Sequence, residues 1–298
     1  MDCTTVRIGS FTIHPGNWCH MALRIDQLTS GDLSAARALS TSVGWNQTDE
    51  DWQRLHDLFP ETCFSGHLDD ELVATSTLAT YGDRFGWVGM VLVDEDHRRQ
   101  GFGSAMFEEA LEAGLAADLD VIGLDATDAG RRVYDNYGFE RIEGIDRWRG
   151  TLQPLESGVT AGQIDTLEDV VAFDSEETGA DRRRLLEHLL GSESVTGLRV
   201  PSTGEIRGYA VIRPGRTCPQ VGPVVVADPE ALSNLLAAVS DRIGGELVID
   251  ALDRDRFRPA VEQAGLSVSR SLHRMTHEGA TPALDGPGVV AATGFPWG

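Results

Sequence analysis

The chain repeats one short pattern in two places, and this repeat constrains the fold more than any other feature of its 298 residues. VGMVLVDED, starting at Val88, resembles VGPVVVADP, starting at Val221. Further along each copy, GLDATD resembles VIDALD, and VYDNYGF (133–139) resembles AVEQAGL (260–266). The three matches occur in the same order, which favours a duplicated folding unit over chance.

Hydrophobic periodicity predicts a similar order of elements in both halves. The first half reads as a strand, two helices, three strands, a helix, a strand, a helix and a strand. The second half reads as two helices, a hairpin, a strand, a helix, a strand, a helix and a strand. WVGMVLV (87–93) is almost entirely apolar, which is typical of a strand that is buried on both faces.

The domain boundaries follow from where this periodicity is lost. Residues 1–20 have no clear pattern and are predicted to be a disordered extension, so the first domain spans 21–150. A linker is expected at 151–160, and the second domain is expected at 161–298. Its apolar tail, GPGVVAATGFPWG, either docks between the domains near the acceptor or is disordered because it is terminal and rich in glycine.

The chain is strongly acidic, with 47 acidic residues against 25 basic ones and a formal net charge of -22. The basic residues are all arginine, since the sequence contains no lysine. Such a charge repels nucleic acid and anionic membranes, so neither is an expected partner. With no apolar run long enough to span a membrane and no secretory signal pattern, we expect a cytoplasmic protein. The acidic surface is typical of a halophilic, salt-adapted protein.

The composition also excludes several classes of catalytic site. Without lysine, the chain can form neither a P-loop nucleotide site nor a pyridoxal Schiff base. Its four cysteines form no CxxC pair and suggest neither a zinc site nor a disulfide framework. His273 and His277 are four residues apart, but their surroundings alternate like a strand. No metal cofactor is therefore expected.

The loop RRQGFG, Arg98 to Gly103, lies between the buried strand and a helix pattern. Glycines without a Cβ let backbone N–H groups approach a ligand closely, and a helix N-terminus favours anions. A dinucleotide fingerprint is excluded because Met106 stands where its third glycine belongs. On these residues alone, the loop is either a pyrophosphate site or a glycine turn with solvated arginines.

Two motifs together make the first 150 residues resemble a GNAT-type N-acetyltransferase. The family pattern (Gln/Arg)-x-x-Gly-x-(Gly/Ala) is matched by Arg98, Gly101 and Gly103, and the later motif by VYDNYGF. The whole chain resembles the tandem form of the family, with a degenerate C-terminal GNAT-like domain. The resemblance implies an α+β (α/β three-layer) fold with two GNAT-like domains. Each would be a mixed, mostly antiparallel sheet flanked by helices. It also implies acetyl-CoA as cosubstrate, and no metal.

The resemblance implies which residues hold coenzyme A. Val91 and Val93 would pair with the pantetheine arm like an added strand, and the N–H near Val91 or Leu92 would face the thioester oxygen. The amides of the loop and helix start would hold the pyrophosphate, namely those of Arg98, Arg99, Gln100, Gly101, Phe102, Gly103 and Ser104. Thr127 stands where many members have asparagine, which leaves that contact in doubt.

Two residues are candidates for proton transfer. The resemblance places Tyr134 as the acid that protonates the departing thiolate, while half-buried packing on the sheet is its alternative. Asp125 is a candidate base or a holder of a cationic amine, with capping of the next helix as its alternative. Four residues are expected to border the acceptor, although Trp52 is equally suited to the core: Asn46, Gln47, Trp52 and Tyr81.

The second half lacks this machinery, with ADPEALSNLL in place of DEDHRRQGFG and Val261 in place of Tyr134. The resemblance therefore predicts one active domain that transfers acetyl from acetyl-CoA to a primary amine of an unidentified small-molecule or peptide acceptor. A non-catalytic acyl-CoA sensor or interaction module is the alternative, and a transferase of longer acyl groups is a third possibility. A homodimer is one expected assembly.

Overall fold

The computed structural model describes residues 23–154, 158–281 and 283–298. The predicted extension at 1–20 and residues 155–157 of the predicted linker lie outside these ranges. In the first half the elements are β1 (Arg24–Gln27), α1 (Leu33–Ser42), α2 (Asp49–Leu58), β2 (Cys63–Leu68), β3 (Glu71–Tyr81), β4 (Phe85–Val93), α3 (Phe102–Ala116), β5 (Val121–Ala126), α4 (Asp128–Tyr134) and β6 (Phe139–Thr151). This is the order that the periodicity predicts.

The second half follows the same plan with two additional short strands. Its elements are β7 (Gly162–Gln163), α5 (Leu167–Thr178), α6 (Arg183–Leu190), β8 (Thr196–Val200), β9 (Gly208–Arg213), β10 (Gln220–Val226), α7 (Pro229–Ser240), β11 (Glu246–Leu252), α8 (Arg258–Gln263), β12 (Ser267–His277) and β13 (Val289–Ala291). Strands β7 and β13 were not predicted, because two or three residues carry no measurable periodicity. None of the described helices is long and apolar enough to cross a membrane.

The described strands form one 13-stranded sheet in the order β1-β2-β3-β4-β5-β12-β6-β11-β13-β10-β9-β8-β7. Strands β4 and β5 are parallel, as are their counterparts β10 and β11. The other described pairs are antiparallel. The predicted fold class, a mixed and mostly antiparallel sheet flanked by helices, is confirmed.

The two halves exchange their last long strands at the centre of the sheet. Strand β12 of the second half pairs with β5, from His273 opposite Ala126 to Thr276 opposite Gly123. Strand β6 of the first half pairs with β11, and β6 and β12 pair with each other. Residues of the second half therefore lie directly beside the strand that carries Asp125.

The two faces of the first half's sheet carry different helices. On one face, α3 packs through Met106, Phe107 and Ala110, each 0% exposed, with Met275 of β12 in the same apolar cluster. On the other face, Trp52 of α2 packs in a cluster with Trp87 of β4. A fully buried side chain of this size stabilises the fold by roughly 1.5–3 kcal/mol.

The C-terminal tail docks on the second of these faces. Trp297 is fully buried in the cluster that contains Trp52 and Trp87, and its carbonyl oxygen accepts a hydrogen bond from Tyr81 Oη at 2.6 Å. A Cβ on Gly89 would lie 2.8 Å from Pro296 Cα, so the tail lies directly against β4. Of the two alternatives for this segment, the structure has the docked one.

Candidate active site

Strands β4 and β5 pair only through their N-terminal residues. Their parallel register runs from Phe85 opposite Val121 to Val88 opposite Leu124. Beyond this point β4 contains an irregularity at Met90, which has a φ of 49° and whose carbonyl accepts a hydrogen bond from Thr75 Oγ1 at 2.8 Å. The pairing ends at Val88 and Leu124, and the following residues of both strands line a common space.

A cavity of about 530 Å³ lies between the two strands beyond this point. Its walls come from β4, β5, α4 and the segment after α1, and also from β6, β12 and the tail. A cavity of this size accommodates part of a large ligand together with a small second molecule.

The loop before α3 begins at Arg98, which lines this cavity. Arg99 has a φ of 65° and Gly101 a φ of 89°, so two residues of the loop are left-handed. Gly101 is also the N-cap of α3, and no side chain caps the helix there. The first amides of a helix have no intrahelical acceptor, so this loop presents a cluster of donors to an anion.

Tyr134 lies at the end of α4 and lines the cavity. Its ring packs against Phe107 with 4.6 Å between ring centroids, which fixes its direction. Burial raises the pKa of its hydroxyl to about 12. Tyr134 therefore stays protonated at neutral pH, which is the state that a proton donor requires.

Asp125 also lines the cavity, but its carboxylate is occupied. Arg274 of β12 donates two hydrogen bonds to it, Nε to Oδ1 and Nη2 to Oδ2, each 3.0 Å long, and both side chains are 0% exposed. The guanidinium also stacks on Trp87, 4.4 Å from the ring centroid. Burial raises the pKa of Asp125, and Arg274 opposes that increase. Because arginine remains charged, we take the pair to be ionised.

Two family models match this chain. The acetyltransferase (GNAT) family matches residues 33–139, and the acetyltransferase (GNAT) domain matches residues 170–287. The chain belongs to the GNAT acetyltransferases, with two such domains in tandem.

Named relatives of this GNAT protein are distant but cover most of its length. It is 25% identical over 215 residues to the holothin acyltransferase of Pseudoalteromonas sp. (strain SANK 73390), covering 70% of this chain and 71% of that protein. It is 22% identical to the uncharacterized N-acetyltransferase YitH of Bacillus subtilis (strain 168), covering 73% and 78%. A Pyrococcus horikoshii protein solved as a candidate acetyltransferase shares the fold at a TM-score of 0.82 and 19% identity, covering 96% and 99%.

The structure places the predicted coenzyme residues of the GNAT domain along one path. Val91, Leu92, Arg98 and Thr127 line the cavity. Val93 follows on β4, and Arg98 Nε donates to its carbonyl oxygen at 3.3 Å. The remaining predicted residues form the loop and the first turn of α3 just beyond the cavity lining: Arg99, Gln100, Gly101, Phe102, Gly103 and Ser104.

Thr127 has a structural role in this GNAT domain. It is the N-cap of α4, and its Oγ1 accepts a hydrogen bond from Gly130 N at 3.1 Å. The capping role considered for Asp125 therefore belongs to Thr127. The helix cap fixes the direction in which α4 leaves the sheet, and Tyr134 lies at the end of that helix.

Of the four predicted acceptor residues, the structure brings Gln47 to the cavity. Asn46 is buried and holds a loop of the second half, donating to Cys218 O at 3.0 Å and accepting from Thr217 N at 2.9 Å. Trp52 lies in the core, where its Nε1 donates to Ser40 Oγ at 3.1 Å. Asn46 and Trp52 therefore position the walls of the site, and they do not form part of the cavity lining.

Tyr81 likewise lies outside the cavity lining. Its hydroxyl donates to Trp297 O, and it is 3% exposed. Burial raises the pKa of this hydroxyl, so it remains a donor. Tyr81 thereby anchors the tail, whose Phe295 and Pro296 form one wall of the cavity.

Sequence reasoning did not include the residues that β6 and β12 bring to the cavity, namely Arg147, Arg270 and Leu272. The tail, for which docking near the acceptor was one of two alternatives, adds Phe295 and Pro296. One signal was available, because Arg270, Leu272 and Arg274 alternate along a strand and so share a face. The sequence does not show which strand lies beside them.

We predict that Gly101→Ala weakens coenzyme binding more than Gly103→Ala. At Gly101 the φ of 89° disfavours any residue with a Cβ, at a cost of roughly 1–2 kcal/mol. At Gly103 a Cβ would lie 3.5 Å from Val93 Cγ2, which is an ordinary contact. Titration with coenzyme A should show a several-fold weaker affinity for Gly101→Ala. Equal affinities of the two variants would contradict a role for the left-handed loop.

Proposed function

We propose that this GNAT protein is an acetyl-CoA-dependent N-acetyltransferase that transfers an acetyl group directly to a primary amine. The observation that supports this most strongly is the convergence of three features on one cavity. These are the end of the pairing between β4 and β5, the donor loop before α3 and the protonated hydroxyl of Tyr134. Each matches a different part of the cosubstrate: the pantetheine arm, the pyrophosphate and the departing sulfur.

The described residues fit coenzyme A in shape and in chemistry. Val91 and Leu92 of β4 line the cavity, and the proposal pairs their backbone with a pantetheine amide in the manner of an added strand. The uncapped first turn of α3 and the Arg98 guanidinium suit the pyrophosphate. The cosubstrate supplies the activated acetyl thioester. Among the described residues, no group of three His, Cys, Asp or Glu side chains is arranged to hold a metal ion.

The proposed reaction assigns a separate task to each group. The free amine attacks the thioester carbonyl carbon, so a C–N bond forms and the C–S bond breaks. A backbone N–H of β4 near Val91 or Leu92 stabilises the charge that develops on the carbonyl oxygen. Tyr134 donates its proton to the sulfur. The proton lost by the amine passes to water, and Tyr134 regains a proton from water. The ion pair of Asp125 with Arg274 provides a fixed, polar wall of the site.

The test is amine-dependent release of coenzyme A. Purified protein is incubated with acetyl-CoA and a panel of small primary amines and peptides, and free thiol is measured together with the mass of the acceptor. We expect thiol release that rises with amine concentration and equals the acetylated product. Tight coenzyme A binding without amine-dependent release would favour the sensor alternative. Light scattering of the same sample tests the predicted homodimer.

A second proposal concerns the acidic surface, which we infer to be adapted to high salt. With 47 acidic and 25 basic residues, the folded chain repels itself at low ionic strength. Raising the salt from about 0.1 M to 1 M shortens the screening length from about 10 Å to about 3 Å. We therefore predict that the melting temperature rises markedly with KCl over this range, as measured by circular dichroism. An unchanged or falling melting temperature would contradict this adaptation.

A further inference from the structure

Two arginines lie side by side in the wall of the cavity, and a carboxylate pairs with only one of them. Arg147 on β6 and Arg270 on β12 are directly opposite each other, and both line the cavity. Asp250 accepts from Arg147 Nε at 2.7 Å and from Arg147 Nη2 at 2.8 Å. It also accepts from Gln220 Nε2 at 2.9 Å. Both carboxylate oxygens of Asp250 therefore accept hydrogen bonds, from Arg147 and from Gln220.

Arg270 lies in the exposed part of β12 and has no ion pair of its own among the described residues. Among the described residues, no carboxylate lies within ion-pair distance of its guanidinium. Partial desolvation and the charge of Arg147 lower its pKa, and the charge of Asp250 opposes this. An anionic ligand would remove the unfavourable contact between the two arginines.

Arg270 and the coenzyme loop lie on opposite faces of the sheet. Arg270, Leu272 and Arg274 share one face of β12, and Arg274 stacks on Trp87 on the face that carries α2 and the tail. Met275 faces the opposite side and packs in the cluster of α3. The donor loop belongs to α3, so the unpaired cation lies on the face where the acceptor has to enter.

The remaining walls on this face fit a small molecule that is partly apolar. Trp45, Leu272, Phe295 and Pro296 line the cavity there. Gln47 also lines it, is 6% exposed, and its Oε1 is buried without a hydrogen-bond partner among the described residues. A buried amide without a partner is costly, so this group is suited to bind a polar atom of a ligand.

We infer that the acceptor is an amine that also carries a carboxylate, such as an amino acid with an apolar side chain. Arg270 binds the carboxylate, Gln47 binds a polar atom near the amine, and the tail packs on the apolar part. This inference rests on the proposed acetyl transfer and names the class of its acceptor. It opposes the simple expectation that an acidic protein selects a cationic substrate.

The test compares leucine with leucinamide as acceptors, using the wild type and Arg270→Gln at the same salt concentration. We expect Arg270→Gln to raise the KM for leucine by about 10- to 100-fold, the range lost with one charge-assisted hydrogen bond. The KM for leucinamide and the KM for acetyl-CoA should stay unchanged. Comparing the two proteins cancels the different intrinsic reactivity of the two amines.

Arg149→Gln is the matched control, because Arg149 is an exposed arginine on the neighbouring strand that pairs with Glu246 and does not line the cavity. It should behave like the wild type. Equal KM effects of Arg270→Gln on leucine and leucinamide would overturn the inference. A raised KM for acetyl-CoA alone would overturn it as well, since the cation would then serve the coenzyme.

A binding measurement separates this inference from the proposed reaction. N-acetyl-leucine and N-acetyl-leucinamide are titrated against the protein with coenzyme A present, and tryptophan fluorescence is followed, since Trp45 lines the cavity. Tighter binding of N-acetyl-leucine that Arg270→Gln abolishes supports the anion site, even if no acetyl transfer is detected. The absence of any preference in the wild type overturns the anion site, whether or not the protein turns over other amines.

Discussion

Replacing Tyr134 with phenylalanine is expected to lower kcat by about 100- to 10,000-fold, the usual contribution of a positioned proton donor. The phenylalanine keeps the ring contact with Phe107, so the fold and the KM for acetyl-CoA should change little. Steady-state kinetics with saturating acetyl-CoA measures the effect. Because the pKa of Tyr134 is about 12, this donor stays protonated at all lower pH values. If the rate of the wild type falls between pH 7 and 10, another group causes the fall. Tyr134→Phe should then show the same fall.

Tyr137→Phe is the matched control for this experiment. Tyr137 lies close to Tyr134 in the chain, packs on the same Phe107 ring, and donates its hydroxyl to Glu108 at 2.6 Å outside the cavity lining. It should retain nearly full activity. If Tyr134→Phe also retained full turnover, the assignment of Tyr134 as the acid would be wrong, and its role would be the packing that the sequence left as the alternative.

Replacing Arg274 with methionine is expected to destabilise the fold by roughly 3–5 kcal/mol, because it leaves Asp125 buried without its partner. Urea denaturation at pH 7 measures the loss. In the variant, the pKa of Asp125, which burial already raises, rises further because Arg274 no longer opposes the effect of burial. The loss in the free energy of unfolding is largest at pH values above the pKa of Asp125 in the folded variant. It becomes smaller as the pH falls and Asp125 takes up a proton.

The double variant Asp125→Leu/Arg274→Met should recover much of this stability, since replacing a buried pair with apolar side chains is often neutral. Arg84→Met is the control, because Arg84 pairs with Asp120 on the exposed surface and such a pair contributes little. Equal destabilisation of Arg274→Met and Arg84→Met would contradict the buried pair. A pH-independent penalty in Arg274→Met would contradict the titration of Asp125.

The coenzyme side of the site was readable from the sequence because its determinants are local. The apolar strand, the glycine loop and the first turn of α3 are consecutive, so Arg98, Gly101 and Gly103 locate the donor loop without any tertiary information. Tyr134 follows on the next helix after a strand of predictable length. The order of elements in both halves was readable for the same reason, since periodicity is a property of short windows.

The acceptor side could not be read in this way, because it depends on pairing between distant strands. Arg270 reaches the cavity because β12 lies between β5 and β6, and nothing in β12 itself specifies those neighbours. Docking of the apolar tail near the acceptor was one of two alternatives from the sequence, but its anchor was not readable, since Tyr81 holds the tail across more than 200 positions of chain. Asn46 is an error of the opposite kind. It was predicted to border the acceptor, but its side chain holds a loop of the second half.

The central claim is tested most directly by supplying acetyl-CoA labelled in its acetyl group together with leucine, and measuring acetylated amine and free coenzyme A in the same sample. The account predicts one labelled N-acetyl product for each coenzyme A released, at a rate that Tyr134→Phe reduces at least 100-fold. Coenzyme A binding without a labelled amine product, for leucine and for every other primary amine supplied, would contradict it.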